Sequence, residues 1–170
     1  KKKSKEGVNM QVCQAEKNGV RLKIMQDEQP ASPREWENLG KMICWHKRYE
    51  LGDKHKFSNP QDFEEFEKEN PLIKMPLFLL DHSGLWMRTG SFNDVDPGEW
   101  DSGQVGWIYV TEEQLRKEYP TDSLQMAKQK AYKVLKQEVT TYSQFLEGEV
   151  YGFVLEKEAG DCAQCKRTNE

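Results

Sequence analysis

The chain lacks most of the features that would place it in a specialised class of protein. It has four cysteines among 170 residues, too few for the disulfide framework of a small secreted domain. No apolar run approaches the roughly 18 residues of a transmembrane helix. The lysine-rich start is not followed by the apolar stretch of a signal peptide. These absences predict a cytoplasmic protein with reduced thiols and no membrane partner.

The chain also lacks an excess of basic residues. Its net charge is −4 and its pI is about 5.6, whereas a general nucleic-acid binder is usually basic. That balance still leaves room for a local basic patch. The aromatic content of 11% argues against disorder, which is typical of chains with few aromatic residues.

The order of apolar patterns predicts an α+β fold. We expect an antiparallel β-sheet of about five or six strands, packed by one long amphipathic helix and two short helices. A single α+β domain is predicted over residues 10–156, between a flexible basic N-terminus at 1–9 and a polar flexible tail at 157–170. The pair Asn18-Gly19, between two strand-like runs, predicts a β-hairpin.

Local signals place the other elements. Further strands are predicted at 41–49, 72–80, 85–89, 105–110 and 150–155. A short helix is expected after Asn59-Pro60, with Asn59 as its N-cap. Thr111 and Gln114 fit a capping box for a second short helix. The long helix is expected to start at Pro120-Thr121-Asp122, to reach about Leu146 and to end at Gly148.

Two polar turns at strand ends are the most informative feature of the sequence. Asp81-His82-Ser83-Gly84 follows the apolar run that ends at Leu80, and Trp100 to Gln104 leads directly into the apolar run from Val105. Polar side chains on loops at the ends of rigid strands are typical of binding and catalytic sites. We expect a functional site if these two turns meet in the fold.

The residue types in and near these turns fit cleavage of RNA without a metal. Such a reaction needs a base for the 2′-hydroxyl, an acid for the leaving oxygen and a cation for the phosphate. The candidate base and acid are His82 and His46. The candidate cation is Arg48 or Arg88, and Asp81 or Asp53 is the candidate partner for an imidazole. The alternative is that His82 and Asp81 stabilise a turn while His46 faces solvent.

Asp101 and Ser102 complete the predicted catalytic set. Ser102 lies in a turn that loosely resembles a nucleophile turn, although the Gly-x-Ser-x-Gly pattern is missing. The alternative is a hydrogen-bonded turn without a catalytic role.

A second set of residues fits the binding of nucleic acid or of a protein partner. Basic and aromatic residues alternate between residues 41 and 56, a combination that suits single-stranded RNA. Exposed tryptophans are also typical anchors for protein partners. The predicted binding residues are Lys47, Tyr49, Lys54, Trp100 and Gln104.

Metal binding is the less favoured alternative, and no cofactor is predicted. Cys162 and Cys165 have the spacing of zinc ligands, and Cys44 with His46 would supply the other two. The alternative is a pair of free cysteines in the tail. A hard-ion site formed by Asp53, Asp81 and Asp101 is a further alternative.

Several short motifs together resemble an uncharacterised protein family of bacteriophages, plasmids and integrative elements. They are Ser32-Pro33-Arg34-Glu35, Asn38-Leu39-Gly40, His46 to Tyr49, Leu51-Gly52-Asp53, Asp81-His82-Ser83-Gly84, Trp100 to Val110 and Gly148 to Phe153. The resemblance implies a mobile-element setting inside a bacterial host cell, where small accessory proteins often counter host defence. This is an argument by analogy.

Three hypotheses about function follow. The first is an accessory protein of the anti-CRISPR or antirestriction type, whose partner is a host defence nuclease. The second is a small ribonuclease-like hydrolase that uses the His, Asp and Arg residues above, with a guide RNA as a candidate substrate. The third is a structural or interaction protein of a phage.

Overall fold

The computed structural model describes residues 11–157, which form two compact units. One unit contains the described residues up to Pro30 and those from Gly148 onward, and the other spans Ala31–Glu147. The termini predicted to be flexible lie outside the described residues, apart from Lys157, which ends the last strand. The interpretation of the central part of the chain as one domain stays a prediction.

Strands and helices alternate irregularly along the chain. The strands are β1 (Gln11–Lys17), β2 (Val20–Gln26), β3 (Lys41–Cys44), β4 (Leu72–Asp81), β5 (Leu85–Arg88), β6 (Ser102–Thr111) and β7 (Tyr151–Lys157). The helices are α1 (Pro60–Glu69), α2 (Glu112–Glu118) and α3 (Leu124–Leu146), and a short 3-10 helix spans Pro33–Glu35. The α+β class, the long helix and the two short helices are confirmed. The strands divide between two antiparallel sheets, however, in the orders β1-β2-β7 and β3-β6-β4-β5.

The three-stranded sheet begins with the predicted hairpin. Asn18 and Gly19 both have positive φ, of 53° and 69°, and Lys17 pairs with Val20 across them. Positive φ at both central residues is typical of a type I′ turn, whose twist matches that of the flanking strands. β7 pairs with β2 along its whole length. These three strands therefore form a sheet of their own instead of extending a single larger one.

β4 and β6 form the centre of the four-stranded sheet. They pair antiparallel from Leu72 opposite Thr111 to Leu80 opposite Ser102. β3 pairs with the other side of β6, and β5 with the other side of β4. The predicted buried strand and its short antiparallel partner are confirmed as β4 and β5.

Both faces of this sheet are buried. On one face, Met42 and Ile108 belong to a core that includes the apolar side of α3. On the other face, Ile43 and Tyr109 pack with Phe63 of α1. Strands buried on both faces appear in the sequence as continuous apolar runs, which explains the composition of β6.

α3 presents a regular apolar stripe to the sheet. Its buried apolar side chains are Ala127, Ala131, Leu135, Val139 and Tyr142, and this spacing keeps them on one helical face. The helix starts at Leu124, because the hydroxyl of Ser123 accepts the backbone N–H of Met126 as an N-cap. The predicted start at Pro120 was therefore too early.

Both predicted caps of the short helices are confirmed. The side chain of Asn59 accepts the backbone N–H of Asp62 at 3.0 Å, and Pro60 is the first residue of α1. Thr111 and Gln114 form a reciprocal capping box at the start of α2. These caps fix where the chain leaves each adjoining loop or strand.

The predicted strand over 41–49 ends early, at Cys44. Beyond it the backbone turns, because the ring Nδ1 of His46 accepts the backbone N–H groups of Arg48 and Tyr49, each at 3.3 Å. A side chain that binds its own nearby backbone favours a turn over a strand. Residues 45–49 therefore form a loop at the end of the sheet.

Gly106 lies where β3 and β6 come closest. A Cβ atom at this position would lie 1.9 Å from the carbonyl oxygen of Ile43, which is a backbone atom. We expect Gly106→Ala to lower the free energy of unfolding by about 3 kcal/mol or more, because the β3–β6 pairing must separate to make room. Urea unfolding followed by tryptophan fluorescence measures this directly, since every tryptophan lies in the unit Ala31–Glu147.

The matched control for this prediction is Gly103→Ala on the same strand. A Cβ at Gly103 has no heavy atom within 4 Å, so the change in stability should stay within about 0.5 kcal/mol. Equal stability of the two variants would contradict the close approach of β3 at Gly106.

A buried ion-pair network joins four segments of the larger unit. The side chain of Arg34 is only 5% exposed. Its guanidinium donates to the carboxylate of Asp53 at 2.9 and 2.7 Å, to Glu138 of α3 at 3.1 Å and to the carbonyl of Gly40 at 2.7 Å. Burial, the largest influence, lowers the pKa of Arg34, but the hydrogen bonds and charges of Asp53 and Glu138 outweigh it and raise the pKa above its ordinary value.

Candidate functional site

Three segments of the larger unit enclose an open cleft of about 530 Å³, which we call the Arg48 cleft. They are the loop after β3, the end of β4 and the residues that lead into β6. The predicted site residues that line this cleft are His46, Lys47, Arg48, Asp81, Trp100, Asp101, Ser102 and Gln104. Most of the predicted catalytic and binding residues therefore come together in one place.

The antiparallel pairing of β4 with β6 brings the two polar turns together. Leu80 lies opposite Ser102, and the backbone N–H of Asp81 donates to the carbonyl of Asp101 at 2.8 Å. The end of one strand therefore meets the start of its neighbour. The expectation that the two turns meet is confirmed.

His82 and Asp101 form a hydrogen-bonded pair across these turns. The imidazole Nδ1 of His82 lies 2.9 Å from a carboxylate oxygen of Asp101. The side chains are 70% and 49% exposed. A carboxylate at Nδ1 favours the tautomer with its proton on that nitrogen, which leaves the Nε2 lone pair available to accept a proton.

Asp81 does not bind an imidazole and instead pairs with two side chains of the loop after β3. It accepts a hydrogen bond from the guanidinium of Arg48 and another from the hydroxyl of Tyr49 at 3.1 Å. The guanidinium carbon of Arg48 also lies 5.4 Å from the centre of the Tyr49 ring. Asp81 therefore positions a cation. The carboxylate that pairs with an imidazole is Asp101, whereas Asp81 and Asp53 were the predicted partners.

His46 is held in a different hydrogen-bonding state from His82. Its Nδ1 accepts two backbone N–H groups, and its ring stacks on Tyr49 with centroids 5.0 Å apart. A nitrogen that accepts hydrogen bonds carries no proton, so the ring proton lies on Nε2. His46 is suited to donate one hydrogen bond from Nε2. The role of general acid for His46 stays a prediction.

Ser102 belongs to a hydrogen-bonded turn. Its hydroxyl donates to the carboxylate of Asp96 at 2.8 Å, and that carboxylate also accepts the backbone N–H groups of Trp100 and Asp101. This geometry supports the turn interpretation of Ser102 over that of a nucleophile. Asp96 was missed in the sequence, although Asp96-Pro97-Gly98 is a recognisable turn signal.

The hydrogen bond from Ser102 is the main reason why the pKa of Asp96 lies below its ordinary value. A lowered pKa means that the contacts of this carboxylate stabilise the turn at neutral pH and are lost as the pH falls through that lowered value. We expect Ser102→Ala to raise the pKa of Asp96 towards that of an ordinary aspartate. Carboxyl ¹³C chemical shifts followed over an acid titration measure the change. An Asp96 titration curve that Ser102→Ala leaves in place would contradict the assignment.

The remaining predicted residues lie next to the Arg48 cleft. Tyr49 and Lys54 line an adjoining cavity of about 930 Å³, which shares His46 and Lys47 with the cleft. Arg88 is engaged elsewhere, because its guanidinium donates to Asp94 and to the carbonyl of Ser91 and lies over Phe92. Arg48 and Lys47 are therefore the cations of the cleft.

His82 itself lines a separate cavity of about 680 Å³ on the other side of Asp101. We call this cavity the Trp86 groove, after its indole. It lies along the edge strand β5, between the 92–101 loop and the last turns of α3. Asp101 lines both the groove and the cleft, so the His82–Asp101 pair stands at their junction.

The predicted zinc ligands lie partly outside the described residues, which do not include Cys162 and Cys165. Within residues 11–157, no cluster of three or more His, Cys, Asp and Glu side chains could hold a metal ion. Of the three carboxylates proposed for a hard ion, Asp53 pairs with Arg34, Asp81 with Arg48 and Asp101 with His82.

Burial raises the pKa of the Cys44 thiol to about 12, with the negative charge of Asp53 as a second cause. The thiolate is the reactive form of cysteine, so Cys44 should resist alkylation by iodoacetamide in the folded protein. The exposed Cys13 serves as the internal control and should be labelled. Peptide mass spectrometry reads both sites, and urea should make Cys44 reactive. Equal labelling of both cysteines before unfolding would contradict this prediction.

No family model, curated protein sequence or solved structure matches the chain. None of the helices within residues 11–157 is long and apolar enough to cross a membrane.

Proposed function

We propose that the protein binds single-stranded RNA in the Arg48 cleft and cleaves it by a ribonuclease-like reaction that needs no metal ion. The observation that carries this proposal is the 2.9 Å contact of His82 with Asp101, a residue that lines the cleft together with Lys47 and Arg48. An imidazole oriented by a carboxylate is a suitable general base. Cations next to aromatic side chains suit a single-stranded backbone with unstacked bases.

The proposed reaction is an internal transfer of the phosphoryl group. Nε2 of His82 accepts the proton of the ribose 2′-hydroxyl, the 2′-oxygen attacks the adjacent phosphorus, and the bond to the 5′-oxygen breaks. Arg48 and Lys47 stabilise the charge on the phosphate oxygens, and the Nε2–H of His46 donates to one of them. Lys47 is the proposed proton donor to the leaving oxygen. The products are a 2′,3′-cyclic phosphate and a 5′-hydroxyl.

The direct test is incubation of the purified protein with a labelled single-stranded RNA, with and without EDTA, followed by a denaturing gel. The expected result is cleavage that EDTA does not reduce, with 2′,3′-cyclic phosphate ends. DNA of the same sequence is the matched control and should stay intact, because it has no 2′-hydroxyl. Cleavage of the DNA, or loss of RNA cleavage in EDTA, would contradict the mechanism.

The resemblance to mobile-element proteins supports a specific substrate, the guide RNA of a host defence nuclease. An accessory protein of the anti-CRISPR type would disable such a nuclease by cutting this RNA. The test is to incubate the nuclease–guide complex with the protein before adding target DNA. Target cleavage should fall after treatment with wild-type protein and persist after treatment with His82→Ala. Full target cleavage after both treatments would contradict this substrate.

A second candidate function is inhibition of a host nuclease by stoichiometric binding. It is favoured by the exposure of Trp100. This side chain is 88% exposed, whereas tryptophan side chains in proteins are largely buried on average. Exposed tryptophans are frequent hot spots in protein interfaces. This alternative predicts comigration with the nuclease in size-exclusion chromatography, which Trp100→Ala should abolish and His82→Ala should not.

A further inference from the structure

The Trp86 groove continues from the proposed reaction centre towards the end of α3. Its lining includes His82 and Asp101 of the reaction centre and, from the last turns of α3, Ser143 and Glu147. A strand of RNA whose phosphate lies at the His82–Asp101 pair would therefore place an adjoining group in this groove. The groove is large enough for a small ligand, at about 680 Å³.

The walls of the groove suit a flat aromatic ring. The side chains of Leu80, Trp86 and Met87 come from the adjacent strands β4 and β5, and Phe92 and Val95 come from the following loop. The Phe92 ring is held in place because the guanidinium of Arg88 lies 4.1 Å from its centre. Bases that leave the stack in single-stranded RNA are commonly bound against aromatic side chains.

One polar group in the groove is held in a fixed position. The hydroxyl of Ser143 accepts the backbone N–H of Met87 at 3.0 Å and donates to the carboxylate of Glu147 at 2.8 Å. Ser143 is itself only 8% exposed. This chain of hydrogen bonds ties Glu147 to the edge strand β5, so its carboxylate is positioned before any ligand arrives.

A carboxylate in this position selects among the four bases. A carboxylate only accepts hydrogen bonds. The Watson–Crick edge of guanine presents two adjacent donors, N1–H and the N2 amino group. Adenine and cytosine place a ring acceptor beside their amino group, and uracil places its single N–H between two carbonyl oxygens. A site that hydrogen-bonds one base edge strongly rejects those that leave its polar groups unpaired.

We infer that the Trp86 groove is a nucleobase subsite that selects guanine through Glu147. This inference rests on the proposed function, because the proposed reaction centre supplies the reason for a nucleotide to lie here. It adds to that function a sequence preference for cleavage next to guanosine.

The test uses DNA oligonucleotides that each contain a single ribonucleotide, either G, A, C or U, so that only one bond can be cleaved. Wild-type protein should cleave the oligonucleotide with ribo-G at least about tenfold faster than the other three. Glu147→Gln keeps an acceptor for Ser143 but presents an amide to the base, and it should remove the preference for ribo-G. Glu118→Gln, an exposed site on α2, is the matched control and should leave the preference unchanged.

A parallel calorimetric titration with guanosine 3′-monophosphate and adenosine 3′-monophosphate measures selection without cleavage. Cleavage at equal rates next to all four bases would overturn the guanine subsite and leave the ribonuclease function standing. Tighter binding of the guanosine nucleotide that is lost in Glu147→Gln, without cleavage of any RNA, would support the subsite and overturn the ribonuclease function. Equal binding of the two nucleotides would overturn the subsite in either case.

Discussion

Replacing His82 with alanine is expected to lower the rate of RNA cleavage by about 10²- to 10⁴-fold, the usual contribution of a positioned general base. The side chain is 70% exposed and its contact with Asp101 lies at the surface. The substitution should therefore leave the thermal unfolding temperature nearly unchanged. Initial rates with a labelled single-stranded RNA, measured beside thermal unfolding by circular dichroism, separate the two effects.

Chemical rescue provides the control for this prediction. If the imidazole of His82 acts as a base, imidazole added to the buffer should restore part of the activity of His82→Ala, because the site is open to solvent. It should not restore Arg48→Ala, which loses a cation of the Arg48 cleft. Wild-type activity in His82→Ala, or failure of imidazole to restore any of the lost rate, would contradict the assigned role.

Asp101→Asn extends the same argument to the partner of His82. An amide at this position presents both a donor and an acceptor to the imidazole, so the favoured tautomer of His82 is no longer fixed. A large loss of rate is expected with little change in RNA binding. Measuring both the cleavage rate and the affinity for RNA shows whether Asp101→Asn impairs the orientation of the base or the binding of the substrate.

Replacing Arg34 with methionine is expected to lower the free energy of unfolding by about 3 to 5 kcal/mol. The substitution leaves the carboxylates of Asp53 and Glu138 without their cation in positions where the side chains are only 20% and 11% exposed. An uncompensated buried charge is far more costly than a missing surface pair. Urea unfolding followed by tryptophan fluorescence measures the free energy of unfolding.

Arg116→Met is the matched control for Arg34→Met. Arg116 also pairs with a glutamate, Glu112, but this pair lies on the surface of α2, with the arginine side chain 63% exposed. Surface pairs of this kind contribute about 0.3 to 0.5 kcal/mol, so the control should unfold at nearly the wild-type urea concentration. A similar, small loss in both variants would show that the Arg34 network is not a buried charge cluster.

Arg34, Gly40 and Asp53, which belong to short motifs noted in the sequence, have structural roles that the sequence did not reveal. The guanidinium of Arg34 joins the carbonyl of Gly40, 6 residues away, and the carboxylate of Asp53, 19 residues away, in one hydrogen-bonded network. No local pattern in the sequence indicates that the charged side chains of Arg34 and Asp53 are largely buried. Burial of a charged side chain depends on partners that only the tertiary fold brings together.

The local elements could be predicted because their causes lie within a few residues of each other. The Asn18-Gly19 turn, the Asn59 cap and the Thr111 capping box each depend on short-range backbone geometry. The apolar spacing of α3 was equally visible. The predicted strand from Lys41 ends at Cys44, because the imidazole of His46 accepts backbone N–H groups that would otherwise pair in a strand.

Only the tertiary structure shows which carboxylate pairs with the imidazole of His82. The sequence made His82, Asp81 and Asp101 candidates for one site, because each lies in a polar turn next to an apolar strand. It did not determine which carboxylate meets the imidazole, since that depends on the register of β4 against β6. One step of register exchanges the faces on which side chains lie.

The sequence by itself determined the α+β class, the positions of most strands and helices, and the two polar turns that form the Arg48 cleft. These properties follow from periodicity and from short-range capping and turn chemistry. The tertiary structure alone decided that the strands divide into two sheets, that Asp101 pairs with His82, and that Ser143 positions Glu147 in the Trp86 groove. The first two depend on contacts between residues distant in the sequence, and the third depends on the contact of Ser143 with Met87, 56 residues away. No local pattern encodes which distant partner will meet.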